Sequence, residues 1–218
     1  MISFDLRENV IEQTSYNAFG SDIGHYYAIL AHLSTYFSES IIVELGTHTG
    51  NSAAALSYNK SNKIYTFDIN PTDEARELFK RDEYKNIIYI IGNCIENNWH
   101  GFYSPRHIRP DTPDSVELPS SEKEIFLSSE LIFLDVDPHD GIQEQHVLDF
   151  LLTNNWGGIM VCDDIGPQHP PMHEWWNNIY YSELPTYIIG NKYGAHEGQG
   201  TGIICFDNQE VLSDVRGS

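Results

Sequence analysis

Two runs in this 218-residue chain set acids side by side just past apolar segments. They are Asp135-Val136-Asp137-Pro138-His139 and Cys162-Asp163-Asp164-Ile165. Carboxylates held together repel one another unless a cation neutralises them, and all-oxygen donors suit Mg²⁺, Ca²⁺ or Mn²⁺ rather than zinc. Asp135, Asp163 and Asp164 are the expected ligands of such an ion. A third run, Glu44-Leu45-Gly46-Thr47-His48-Thr49-Gly50-Asn51-Ser52, reads as a tight turn entering a helix. Gly46 permits the turn, Gly50 lets backbone approach a ligand, and Asn51-Ser52 is expected to cap a helix aimed at an anionic group. The run is neither G-x-G-x-x-G nor a P-loop, and Glu44 would repel a pyrophosphate. Glu44 suits a cationic amine instead. Asp68 ends the next apolar segment, where an acid commonly takes ribose hydroxyls. An amino acid joined to a nucleoside meets both demands.

These residues need a scaffold that brings strand ends together. Apolar strand candidates run over 41–45, 64–68, 87–91, 131–135 and 158–162, with helical patterns over 51–58, 72–81, 142–153 and 172–181. Strands apolar throughout and separated by helices imply a parallel sheet covered on both faces, a doubly wound α/β fold. Ligands bind such sheets beyond the carboxyl ends of the strands, where Glu44, Asp68, Asp135 and Asp163-Asp164 all stand. The last runs, 186–189 and 202–206, lie too close for a parallel crossover, so the final pair is expected to be antiparallel. Upstream, Tyr26, Leu30, Leu33 and Phe37 recur at helical spacing behind Ser21-Asp22, so 1–38 reads as an N-terminal helical cap. The proline-bearing stretch 96–124 interrupts the pattern as an insertion or lid. No linker divides the chain, and 1–218 reads as one domain.

Glu44-x-Gly46-x-x-x-Gly50, Asp68, Gly92-Asn93 after the third strand and Phe133-Leu134-Asp135 in the fourth resemble the class I S-adenosylmethionine-dependent methyltransferases. The resemblance covers about residues 21–206 and implies a mostly parallel seven-stranded sheet with an antiparallel last strand. It implies S-adenosylmethionine as cofactor, with Glu44 and Gly46 at the methionyl part and Thr47, Gly50, Asn51 and Ser52 in the same turn. Asp68, followed by Ile69, would take the ribose, the Gly92-Asn93-Cys94 turn the adenine, and Asp135 would close the site. The acidic runs are similar to those of the metal-dependent O-methyltransferases, both the catechol type and those acting on sugars in macrolides and glycans. That similarity implies Mg²⁺ or Mn²⁺ on Asp135, Asp163 and Asp164. The catechol type carries a Lys where this chain has Pro138, so His139 is the candidate base, with Asp137 as the alternative. A small-molecule acceptor is expected, a sugar first and a phenolic metabolite second. A non-catalytic binding module on the same fold is the third reading, whereas a nicotinamide-dependent dehydrogenase conflicts with the glycine spacing.

Composition narrows the partners. Twelve Lys+Arg against 32 Asp+Glu leave a net charge of −20, so phosphate-rich nucleic acid or an anionic membrane would meet repulsion. No signal peptide or bilayer-length apolar run stands out, and the chain reads as soluble and cytoplasmic. Cys94, Cys162 and Cys205 lack metal spacing, and Cys162 and Cys205, in apolar strand-like runs, read as small buried residues. Plainer roles stand beside the functional ones. Asp68 could cap a helix, Asp163-Asp164 could be a solvated pair, and Asp137 could be a surface acid. His169 and His173 read as structural or solvent-facing. Trp175-Trp176 reads as one core indole, with one of the two at a sugar pocket as the sharper alternative. The aromatic cluster at 99–103 is either a lid or a subunit contact, which leaves room for a homo-oligomer.

Overall fold

The computed structural model describes residues 21–70, 72–92, 106–107, 122–180, 184–189 and 200–207. Its elements are α1 (Ser21–Ser34), β1 (Ile41–Leu45), α2 (Asn51–Leu56), β2 (Lys63–Asp68), α3 (Asp73–Phe79), a 3₁₀ turn (Asp82–Tyr84), β3 (Ile87–Ile91), β4 (Arg106–His107), α4 (Glu122–Leu127), β5 (Ser129–Leu134), α5 (Ile142–Thr153), β6 (Ile159–Cys162), α6 (Pro170–Tyr180), β7 (Thr186–Ile189) and β8 (Thr201–Cys205). They form one sheet in the order β4-β3-β2-β1-β5-β6-β8-β7. β3, β2, β1, β5 and β6 are mutually parallel, and β8 runs antiparallel between β6 and β7.

Side chains alternate across each strand, so neighbouring residues serve two cores. Ile42, Ile64, Tyr89, Leu131, Phe133 and Val161 meet α1, α2 and α3 on one face. Val43, Leu45, Phe67, Ile132, Leu134 and Met160 meet α4, α5 and α6 on the other. This double burial is the reason the strands read as apolar throughout. It also leaves only strand ends to carry polar chemistry. Register aligns those ends: Leu45 pairs with both Phe67 and Leu134, and Leu134 with Cys162. Asp68 therefore closes β2 level with the point where Asp135 and Asp163 leave β5 and β6, whereas Glu44 lies one residue inside the end of β1, opposite Thr66 and Phe133.

Several boundaries differ from the sequence reading. α1 ends at Ser34, yet Phe37 is still buried beyond it. Residues 1–20 of the expected cap lie outside the described residues. So does most of 96–124, including the 99–103 cluster. The described part of that stretch is not irregular. Arg106–His107 pair antiparallel with Ile90 and Ile91 as an edge strand, and α4 starts inside the expected loop at Glu122. α6 begins earlier than expected, at Pro170-Pro171, because prolines suit a first helical turn, where the amide would have no partner anyway. Both indoles of that helix are buried, Trp176 fully, and Trp175 donates its Nε1–H to Gln145 Oε1 at 2.9 Å. Cys162 and Cys205 are buried, as expected, and Cys94 lies outside the described residues. Among the described residues no helix is long and apolar enough to cross a membrane.

Candidate active site

The carboxyl ends of β1, β2 and β5 open into a cavity of about 630 Å³. At one end stands the turn after β1. Gly46 continues the sheet, donating its N–H to the Phe67 carbonyl at 2.9 Å, and then adopts φ +95°. A Cβ there would lie 1.7 Å from the Asp135 carbonyl oxygen, so only glycine allows the β1 and β5 exits to touch. Gly50, at φ +84°, is the N-cap of α2, and a Cβ on it would meet the Phe79 ring at 2.7 Å. Asn51 and Ser52 are therefore the first helical residues rather than the cap. Both are buried, and Asn51 donates to Thr49 Oγ1 at 3.0 Å.

Asp68 ties this turn to β2. Its Oδ2 accepts the His48 N–H and its Oδ1 the Asn70 N–H, each at 2.7 Å. Each oxygen keeps a lone pair for a further donor. Ile69 beside it is 69% exposed on the cavity wall, an unusual place for a large aliphatic side chain. Gly92 completes this end, whereas Asn93 lies outside the described residues.

Glu44 does not reach the cavity. Its side chain turns into the α1–α3 face, fully buried, where Thr66 donates to its Oε2 and Oε1 meets no hydrogen-bond donor. Burial pushes its pKa up from 4.5 to about 8; hydrogen bonds from Ser52 and Thr66 oppose the rise and the Asp68 charge adds to it. The expected direct contact with a cationic amine is corrected accordingly. Glu44, Thr47, Gly50, Asn51 and Ser52 build the turn from behind, while Gly46, Asp68, Ile69 and Asp135 line the space. His48, Asn70, Thr72 and Gln143 also line it and were not singled out from sequence. His48 had a visible signal, because it sits between the two turn glycines.

At the other end lies an acid–imidazole cluster. Asp135, His139 and Asp164 each present one ligand atom, all within 4.8 Å of one another. His139 Nε2 is 3.3 Å from both Asp137 Oδ1 and Asp164 Oδ2. His169 Nε2 stands 3.5 Å from Asp164 Oδ1, and its ring centroid is 5.1 Å from that of His139. Burial, followed by the charges of Asp163, Asp164, Glu44 and Asp137, holds the Asp135 carboxyl well above the ordinary carboxylate range. Among the described residues no Lys or Arg lines the cavity to relieve it.

Two expectations change here. Asp163 is not in the group; its Oδ1 accepts from Thr201 Oγ1 on β8 at 3.0 Å. His139, expected as a base outside the ligand set, is in it. His169, expected to be structural, faces the same carboxylate. His173 is structural as expected, its Nδ1–H donating to the Ile165 carbonyl at 2.9 Å. Asp137, 96% exposed at its side chain, reaches the cluster only through His139.

Sheet order and the single antiparallel insertion of β8 define the class I methyltransferase fold. Three solved structures share it. One is an O-methyltransferase from Bacillus cereus in complex with SAH, at 13% identity and TM-score 0.53, with 93% of this chain and 90% of that one covered. Another is an SAH-bound methyltransferase from Podospora anserina, at 14% and 0.56, with 94% and 87% covered. The third is an rRNA methylase from Streptococcus thermophilus, at 12% and 0.52, with 87% and 99% covered. No family model matches the chain, and no curated protein does.

Proposed function

We propose that this chain is an S-adenosylmethionine-dependent, divalent-cation-assisted O-methyltransferase acting on a hydroxyl of a small molecule, a sugar first. The observation that carries the reading is one cavity with two chemically different ends. Asp68, with free acceptor capacity, stands at one end, and the Asp135–His139–Asp164 group at the other. The residues fit the cofactor. A carboxylate at the second strand end suits ribose hydroxyls, exposed Ile69 offers an apolar surface to a base, and about 630 Å³ lies within the range of small-molecule sites. The carboxylates of Asp135 and Asp164 fit a divalent cation, since they are close together and no Lys or Arg among the described residues lines the cavity beside them.

When bound, S-adenosylmethionine supplies an electrophilic methyl group, and a divalent ion supplies positive charge that makes a nearby hydroxyl more acidic. The chain does the positioning. Asp68 holds the nucleoside end, the Gly46 turn keeps the β1 and β5 exits in contact, and Asp135 with Asp164 fixes the cation. The Asp137–His139 pair accepts the hydroxyl proton, a role worth about 10²–10⁴-fold in rate. Chelation by vicinal hydroxyls is compatible with a sugar and with a catechol. The rRNA methylase shows that this fold also serves RNA, but a net charge of −20 favours a small acceptor here. A soluble, cytoplasmic enzyme is part of the reading. Calorimetry with S-adenosylmethionine and with nicotinamide cofactors tests it. Selective binding of the former, weakened at least about tenfold by Asp68→Ala, is the expected result; no binding would refute it.

A further inference from the structure

The cation reading above leaves the ion's identity open, and the inference drawn here rests on that reading. An all-oxygen set of Asp135, Asp163 and Asp164 would suit Mg²⁺. Asp163, however, is engaged with Thr201, and an imidazole stands where a third oxygen would be needed. His139 Nε2 lies 3.3 Å from Asp164 Oδ2, within one ion's reach of the Asp135 carboxylate. The Asp135 carboxylate itself receives no hydrogen bond from any described residue, although four acidic neighbours act on it. A carboxylate without donors, facing like charges and an imidazole nitrogen, is arranged for coordination rather than for hydrogen bonding. His169, 3.5 Å from the other Asp164 oxygen, is placed to orient that carboxylate from behind.

We infer that His139 is a nitrogen ligand at this site, making it selective for a borderline first-row ion such as Mn²⁺, Fe²⁺ or Co²⁺ over Mg²⁺. Imidazole favours those ions, whereas Mg²⁺ holds to oxygen and water. The Nε2 lone pair has one use at a time. With Nε2 on the ion, Asp137 is left as the proton acceptor of the pair.

The test uses the full chain and two observations. Mn²⁺ is added to protein labelled with ¹⁵N-histidine, and pulsed electron paramagnetic resonance reads directly bonded nitrogen. In parallel, calorimetry gives the Co²⁺ and Mg²⁺ affinities of wild type, His139→Asn and His139→Asp. His139 sits at φ +54°, a conformation Asn and Asp tolerate, so both variants should fold. The expected result is a ¹⁵N coupling in wild type that disappears in His139→Asn. The Co²⁺/Mg²⁺ affinity ratio should also fall by about tenfold or more in His139→Asp, which restores an oxygen set. The ratio, not raw affinity, decides, because most sites prefer Co²⁺ to Mg²⁺. Bound Mn²⁺ without nitrogen coupling, or an unchanged ratio, overturns the inference and leaves the cation-assisted reading intact. No bound cation at all overturns both. S-adenosylmethionine affinity, measured on the same samples, tests the methyltransferase reading separately.

Discussion

The carbonyl oxygen of Asp135 occupies the space a side chain at Gly46 would need, 1.7 Å from the would-be Cβ. The first turn of the cavity and the acid that opens its far end are thus in main-chain contact. Any residue but glycine at 46 must push the two apart and also adopt φ +95°. Gly46→Ala should cost at least about 1–3 kcal/mol from the backbone conformation alone. For a chain of this size each kcal/mol lowers the melting temperature by about 2–4 °C. Differential scanning calorimetry of the variant checks this, and an unchanged melting point would contradict the contact.

Asp68 joins the same turn to β2 through two backbone N–H bonds. Asp68→Asn keeps an acceptor for one of them but loses the charge, and Asp68→Ala loses both. S-adenosylmethionine affinity should fall in the order wild type, Asn, Ala, with Ala at least about tenfold down. Equal affinities, read by titration calorimetry, would remove Asp68 from the cofactor site.

Glu44 makes stability pH-dependent with a definite sign. Its folded pKa of about 8 lies above the ordinary 4.5, so the folded chain keeps a proton that the unfolded chain releases. Stability from this group is fully present below about 4.5 and is lost as pH rises toward 8. Glu144, buried at the start of α5 and raised to about 7, acts in the same direction over a narrower window. Glu44→Gln, neutral at every pH, should match wild type near pH 5 and exceed it in melting temperature at pH 8–9. A constant difference between the two curves across that range would exclude the buried-acid account.

The two adjacent acids after β6 should behave differently. Asp164 stands in the cluster and Asp163 bonds Thr201. Asp164→Asn should weaken divalent-cation binding more than Asp163→Asn. Without a cation, under chelator, either change should raise the melting temperature by relieving repulsion around Asp135, on which both charges act; only Asp164→Asn should shrink the rise that added cation gives. Parallel thermal scans with and without EDTA separate the two positions; identical behaviour would contradict the geometry.

Much of the sheet was legible because double burial writes itself as continuous apolar runs, as in Ile41–Leu45 and Ile87–Ile91. The short gap before β8 likewise announced an antiparallel strand. β4 escaped notice because two residues, Arg106 and His107, carry no periodicity. At the site, Asp68 and Asp135 could be placed from strand ends alone. Which way a residue turns after the strand could not. Asp163 and Asp164 are neighbours of which only Asp164 joins the Asp135–His139 group, and Asp164 turns through φ +56°. Such a conformation has no signature in an Asp-Asp pair. Glu44 was misplaced for a related reason: its strand position is plain, but alternation sends its side chain into the core face shared with Ile42 and Thr66. His169 joined the cluster through the loop after β6, which no spacing rule connects to His139.

The central claim is transfer of a methyl group from S-adenosylmethionine to a hydroxyl, and a labelled-methyl assay reads it directly. Full-length protein is incubated with [methyl-³H]-S-adenosylmethionine and panels of free sugars, nucleotide sugars, glycans and catechols. Each panel is run with EDTA and with added Mn²⁺ or Mg²⁺. The account predicts label on a hydroxyl-bearing acceptor, lost in EDTA, restored by the ion, and reduced by Asp68→Ala and Asp164→Asn. Label transferred at full rate in EDTA, or no transfer to any acceptor by protein that binds the cofactor, would contradict it.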